Sequence, residues 1–227
     1  MKKATMITWA MVCAGLLPVR ADLISNPVAE GAITVDASRA DWAGLTSYTP
    51  DAQDAGAGEV DFQTFTLAHD GDELFIRYTT YDGPGFGSAW RYNIFLDIDQ
   101  NRATGYIGGS SQFSVGADVL IQGATAFSFA GGDQTTFSWN LVGGGSYNEL
   151  ANDLEITMAR ANLTGLDQQF NWIAFGDNGT PDYVPDGSSG GSGGSFHTYV
   201  VPEPGTALLL AGGLAVAGLA RRRMRMA

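Results

Sequence analysis

Asp97-Ile98-Asp99-Gln100-Asn101 sets oxygen-bearing side chains at alternate positions where a predicted strand ends, with Gly105 just beyond. Alternate hard oxygen ligands in a tight turn suit a cation such as calcium, which takes carboxylate, amide and backbone oxygens. The pattern is not an EF-hand, because Arg102 stands where that loop needs Gly and Gly108 where it needs Glu. The same residues have a second reading, since Asp and Asn side chains also close turns on their own backbone. Another acidic group, Asp177, Asp182 and Asp186 with Asn178, follows the predicted strand Phe170–Phe175. It completes the first site, forms a second one, or serves only turns.

Sugar binding asks for different residues: exposed aromatic faces on which a pyranose ring stacks. Trp90, Phe86, Tyr106, Tyr147 and Tyr183 fall in or beside predicted loops. Trp90 and Tyr106 flank the acidic turn in sequence and are the predicted carbohydrate platforms. Trp42, Trp139 and Trp172 lie in strand-like or motif contexts and are expected in the core. Catalysis has less to draw on. The histidines are His69 and His197, the one cysteine is Cys13, no His-Glu-x-x-His occurs, and the Gly-x-Ser-x-Gly spellings at Gly187–Gly191 and Gly190–Gly194 fall in a Gly/Ser run and not in an elbow between a strand and a helix. The chain is therefore expected not to be an enzyme. A pair of carboxylates at glycosidase spacing is the one catalytic reading that 24 acids leave open.

The elements that must position these residues read as β throughout. Val60 to Leu67 alternates apolar and polar, with a slip of phase near Thr64, and Leu74 to Tyr81 is rich in β-formers. The Asp70-Gly71 turn signal between them predicts a hairpin. Further strands are predicted at Tyr92–Ile98, Asp118–Gln122, Thr125–Phe129, Thr136–Val142, Leu154–Met158, Phe170–Phe175 and Phe196–Val201. One helical turn is expected near Ala159–Leu163. The 31 glycines cluster between these runs. Short strands with such punctuation predict an all-β fold, an antiparallel β-sandwich of jelly-roll type. The Gly/Ser run Ser188–Ser195 is then either a loop before a last strand or the start of a stalk.

Between Asp22 and Val201 the chain has five arginines, no lysine and 23 of the 24 acids, so its formal charge is 5 − 23 = −18. Nucleic acid is a poor partner for such a body, and divalent cations and neutral polymers are better ones. Acidity also keeps an exported protein soluble.

Several stretches, in order, resemble family 9 carbohydrate-binding modules and their DOMON-like relatives. These are Ile33 to Trp42 with its Asp-Trp, the acidic turn Asp70 to Glu73 leading into Leu74–Tyr78, Phe95 to Tyr106, and Gly116-Ala117-Asp118-Val119-Leu120-Ile121. The resemblance runs from about Ile33 to Asp186. It implies a β-sandwich, often calcium-stabilised, and it implies Asp118 as a further ligand beside Asp97, Asp99 and Asn101. It implies a glycan as partner, and the body's charge favours a neutral polysaccharide. No catalytic domain accompanies the module here. A structural or adhesive spacer is the alternative role, and a secreted glycoside-active enzyme the lesser one.

Both ends read as addresses. Lys2 and Lys3 precede the apolar run Met6–Leu17, and Val19-Arg20-Ala21 offers small residues at a cleavage site, so residues 1–21 are predicted to be a signal peptide. Cys13 lies inside it, which leaves the mature chain without a thiol. At the other end, Pro202-Glu203-Pro204 precedes the uncharged run Thr206–Ala220 and the basic cluster Arg221, Arg222, Arg223 and Arg225. A helix over that run covers roughly 22 Å, short of the ~30 Å hydrocarbon core, and the arginines would hold its end in the cytoplasm. The order of these parts resembles the PEP-CTERM sorting signal of Gram-negative bacteria. That implies an exosortase as partner and a membrane contact through this helix before processing. A plain C-terminal anchor is the other reading. The expected division is 1–21 signal peptide, 22–201 β-sandwich and 202–227 sorting segment, in a protein exported to the cell surface or extracellular matrix.

Overall fold

The computed structural model describes residues 23–201 except 37, 49–50, 83–89, 164, 167 and 178–179. The predicted signal peptide, the sorting segment, Phe86 and Asn178 lie outside the described residues. Among the described residues no helix is long and apolar enough to cross a membrane.

The chain forms a β-sandwich. The strands are β1 (Leu23–Ile24), β2 (Asp61–His69), β3 (Glu73–Asp82), β4 (Tyr92–Asp97), β5 (Val119–Gln122), β6 (Thr125–Phe129), β7 (Trp139–Gly144), β8 (Ser146–Leu150), β9 (Asp153–Ala159), β10 (Gln169–Gly176), β11 (Asp182–Val184) and β12 (His197–Val200). The larger sheet runs β1-β12-β10-β4-β5-β6-β7, with β11 also on β10, and the smaller runs β2-β3-β9-β8. Pairing is antiparallel except between β1 and β12. The predicted hairpin is β2–β3. The phase slip near Thr64 is a bulge, with register shifts on either side of Phe62. The expected helical turn is a 3-10 turn at Arg160–Asn162. Because β12 pairs with β10, the Gly/Ser run before it is a loop inside the fold.

Period-two patterning explains three separate apolar layers. On β4 and β10, Tyr92, Ile94, Leu96, Phe170, Trp172 and Ala174 point between the sheets. There Trp172 is fully buried and meets Tyr48 edge-on at 4.9 Å and Phe65 at 5.0 Å. Burying each such large side chain contributes about 1.5–3 kcal/mol. The alternate residues Phe95, Leu120 and Ile173 point outward, yet they too are buried, under Tyr106, Phe113, Val115 and Ala117. A third cluster, Ile33, Trp42, Ala68 and Phe75, roofs the smaller sheet with the chain that leads from β1 to β2. Arg39 of that roof pairs with the fully buried Glu155 at 2.7 Å and with Asp153 at 2.8 Å, tying it to β9.

Candidate functional site

Asp97 ends β4 on the outward phase, opposite Asn171 of β10. It is 2% exposed. Beyond it the chain turns sharply: Gln100 takes φ 56°, a left-handed conformation uncommon outside glycine. Two bonds hold that turn, from Gln100 Nε2 to the Gln169 carbonyl at 3.1 Å and from Gln169 Nε2 to Gln100 Oε1 at 2.8 Å. The Asn101 amide then donates to Asp97 Oδ1 at 3.1 Å and Asp99 Oδ1 at 2.9 Å. The Thr104 hydroxyl donates to Asp99 Oδ2 at 2.8 Å.

Asp118 comes from the next segment, and glycine brings it in. Tyr106 and Ala117 exchange backbone hydrogen bonds of 2.8 Å each, which lays residues 104–106 against 116–117. A side chain on Gly116 would strike the Thr104 carbonyl, and one on Gly105, at φ 62°, would strike Gly116. This close approach requires both glycines. Asp118, just before β5, then accepts from the Ile98 amide at 2.8 Å and the Asp99 amide at 3.2 Å.

Asp97, Asp99 and Asp118 thus converge, one carboxylate oxygen of each lying within 4.8 Å of the others. Burial pushes the Asp97 carboxyl up to about 6; the Asn171 side chain opposes that and Asp118 adds to it. Burial also raises Asp118. Asn101 stands differently: its side-chain oxygen accepts from the Ala103 amide at 3.1 Å, closing a turn. In chemical terms the trio is a set of hard, anionic oxygens, the type that holds calcium.

The two predicted aromatic platforms part company. Tyr106 is 7% exposed and packs with Phe95, Phe113, Phe129, Phe137 and Trp139 in the outer cluster. It belongs to the core, because residues 106–117 fold back over the sheet instead of projecting from it. The apolar spacing of Phe113, Val115 and Ala117 was the available signal. Trp90 is 52% exposed. Its carbonyl accepts from Gln122 Nε2 at 3.0 Å, and the Arg91 guanidinium lies 4.6 Å from its ring centre. Trp90 precedes β4 whereas Asp97 ends it, so about 16 Å of extended strand separates them. They do not form one site.

The second acidic group also divides. Asp182 begins β11 beside Gly176, which is itself paired with Tyr92, at the Trp90 end of the sandwich. It does not complete the Asp97 trio. Its neighbours are Asp61, at the start of β2, and Asp54. Asp51 faces Asp182 and Asp186. These partners lie more than a hundred residues apart in sequence, and spacing alone gives no sign of them.

Two solved structures of a family 9 carbohydrate-binding module from Caldicellulosiruptor kristjanssonii are similar to this chain. The cellotriose complex gives a TM-score of 0.42 at 14% identity, over 79% of this chain and 94% of that one. The glucose complex gives 0.44 at 14% identity, over 80% and 95%. No curated protein matches the chain in sequence. Residues 200–225 match the family model of the PEP-CTERM protein-sorting motif. The chain therefore carries at its C-terminus the sorting motif of exported Gram-negative surface proteins.

Proposed function

We propose that this exported protein is a non-catalytic carbohydrate-binding sandwich, stabilised by calcium and processed at its tail by an exosortase. Asp97, Asp99 and Asp118 hold the ion, with Asn101 available if its side chain turns. Trp90 supplies the surface on which a neutral glycan stacks. The observation that carries the glycan reading is the half-exposed indole of Trp90, fixed through its backbone by Gln122 and bordered by the Arg91 guanidinium. Arginine donors beside an aromatic face can bond sugar hydroxyls while the ring covers the apolar side of the sugar. Stacking without ion pairing makes such binding only weakly salt-dependent.

A glycan array followed by calorimetry in calcium tests this. Binding to a neutral polysaccharide that Trp90→Ala weakens at least tenfold, with the melting temperature unchanged, supports it. Absence of binding to any glycan in calcium removes it.

A second reading, a structural or adhesive spacer in the extracellular matrix, has its own observation. Leu141 on β7 and Tyr147 and Leu150 on β8 are exposed on the edge strands of the two sheets. Open edges that carry apolar side chains are suited to contact with other chains.

A further inference from the structure

One row of apolar side chains crosses the outer face of the larger sheet and outruns its cover. Register joins Ile173 of β10 to Phe95 of β4, Phe95 to Leu120 of β5, Leu120 to Phe127 of β6, and Phe127 to Leu141 of β7. Side chains directly opposite one another point to the same face. Ile173, Phe95 and Leu120 are at most 2% exposed, in one cluster with Phe113, Val115 and Ala117. Phe127 is half-buried, and Leu141 is 69% exposed. The next pair on this face, Phe129 with Trp139, is also half-buried. Phe137, 58% exposed, sets its ring 5.9 Å from that of Trp139. Among the described residues, the chain that roofs β10, β4 and β5 leaves the outer side of β6 and β7 partly open.

Charge decides what can lie there. From Val119 to Asn148 the chain has a single charged residue, Asp133, in a body whose formal charge is −18. Strands β5, β6 and β7 carry none, which makes a neutral block roughly 10 Å across at about 4.8 Å per strand. The Debye length at physiological salt is about 8 Å. A basic protein finds no carboxylate on these strands to pair with. A second copy of the chain does fit, because it brings the same neutral, apolar face. Two acidic bodies can meet on such a block with their charges set apart and screened. An isologous contact asks for this kind of self-complementary patch. β7 is also the last strand of its sheet, and it has none of the lysines or prolines that keep edges apart. A bulge at Val142 interrupts its ladder, so the side-chain face makes the contact and not the backbone edge.

We infer that the outer face of β6 and β7, built from Phe127, Phe129, Phe137, Trp139 and Leu141, is a self-association surface on which a second copy of this chain docks. This contact narrows the spacer reading to one face and one occupant, and it is independent of glycan binding at Trp90.

Sedimentation velocity of the exported protein in chelator, at low and at high salt, tests this. The expected result is a concentration-dependent dimer that becomes more populated as salt rises, because screening weakens the repulsion and leaves the apolar burial in place. Leu141→Glu sets a carboxylate on each side of the contact and should weaken dimerisation at least tenfold, with the melting temperature held. If circular dichroism shows that Leu141→Glu does not fold, Phe137→Glu, in the loop before β7, takes its place with the same expectation. Trp90→Ala should leave the dimer unchanged. A chain that stays monomeric at both salts overturns the inference, as does a dimer that the folded variant keeps or that rising salt dissolves. A monomeric chain whose binding to a glycan or matrix component is lost in Leu141→Glu also overturns it and gives the face to that ligand.

Discussion

Asp118→Asn puts the Asp97 trio to a test of sign. Three carboxylate oxygens within 4.8 Å repel one another by about 3.5 kcal/mol per pair at an effective dielectric of about 20, and by about 0.9 kcal/mol in water. Asp99 is exposed and Asp118 only half-buried, so the lower figure applies to both pairs that Asp118 makes. Removing the Asp118 charge relieves two pairs, a gain of about 1–2 kcal/mol in the metal-free protein. Little is lost, because an asparagine oxygen still accepts from the Ile98 and Asp99 amides. In calcium at about 100 times its dissociation constant the wild type gains about 2.7 kcal/mol, and the variant, short of an anionic ligand, gains much less. At roughly 2–4 °C per kcal/mol for a domain of this size, the variant melts about 2–8 °C above wild type in chelator. In calcium the order reverses. Thermal melts at low ionic strength, with chelator and with calcium, read both numbers. A variant that melts below wild type in chelator, or a gap of equal size and sign in the two buffers, refutes the argument.

Tyr106→Ala should cost about 3–5 kcal/mol, the usual price of an emptied aromatic core site, whereas Trp90→Ala should stay within about 0.5 kcal/mol; urea denaturation measures both. Burial lowers the His69 ring from 6.5 to about 4, with Arg160 adding to the shift, and its Nδ1 lies 2.7 Å from the Tyr199 hydroxyl. The unfolded chain therefore binds the proton first as pH falls. The contribution from His69 is whole above about 6.5 and is lost toward 4, a fall of about 3 kcal/mol, and the stability gap between wild type and His69→Asn should close over that window. In a host with an exosortase, the intact mass of the surface protein should begin near Asp22 and lack the residues after Pro202-Glu203-Pro204. A chain running on to Ala227 would rule that out.

Strands with strong alternation were legible from sequence, and so was the bulge, because a phase slip in a half-buried strand has few other causes. β8 was not. Its sequence Ser-Tyr-Asn-Glu-Leu lies at a sheet edge with both faces largely open, so no burial pattern marks it. β11, with three residues, and β1, with two, are too short to show a period. Of the Asp97 trio, two members come from one turn, and the third needed the Gly-Ala-Asp segment, whose glycines make sense only once the two loops touch. The bond from the Phe62 amide to Asp182 could not be read at all, because the two meet only through the packing of β11 beside β2. Tyr106 was misplaced for a related reason: a loop in sequence became a lid in space.

The last strand fixes where the chain leaves the sandwich. β12 runs antiparallel to β10, so Val200 lies beside Gln169, next to the turn that carries Asp97 and Asp99. Val201 is still buried, and Pro202 follows it directly. The chain therefore leaves the described sandwich at its Asp97 end. The Asp97 trio lies beside that exit, and Trp90 and Asp182 lie at the other end, a full strand length away.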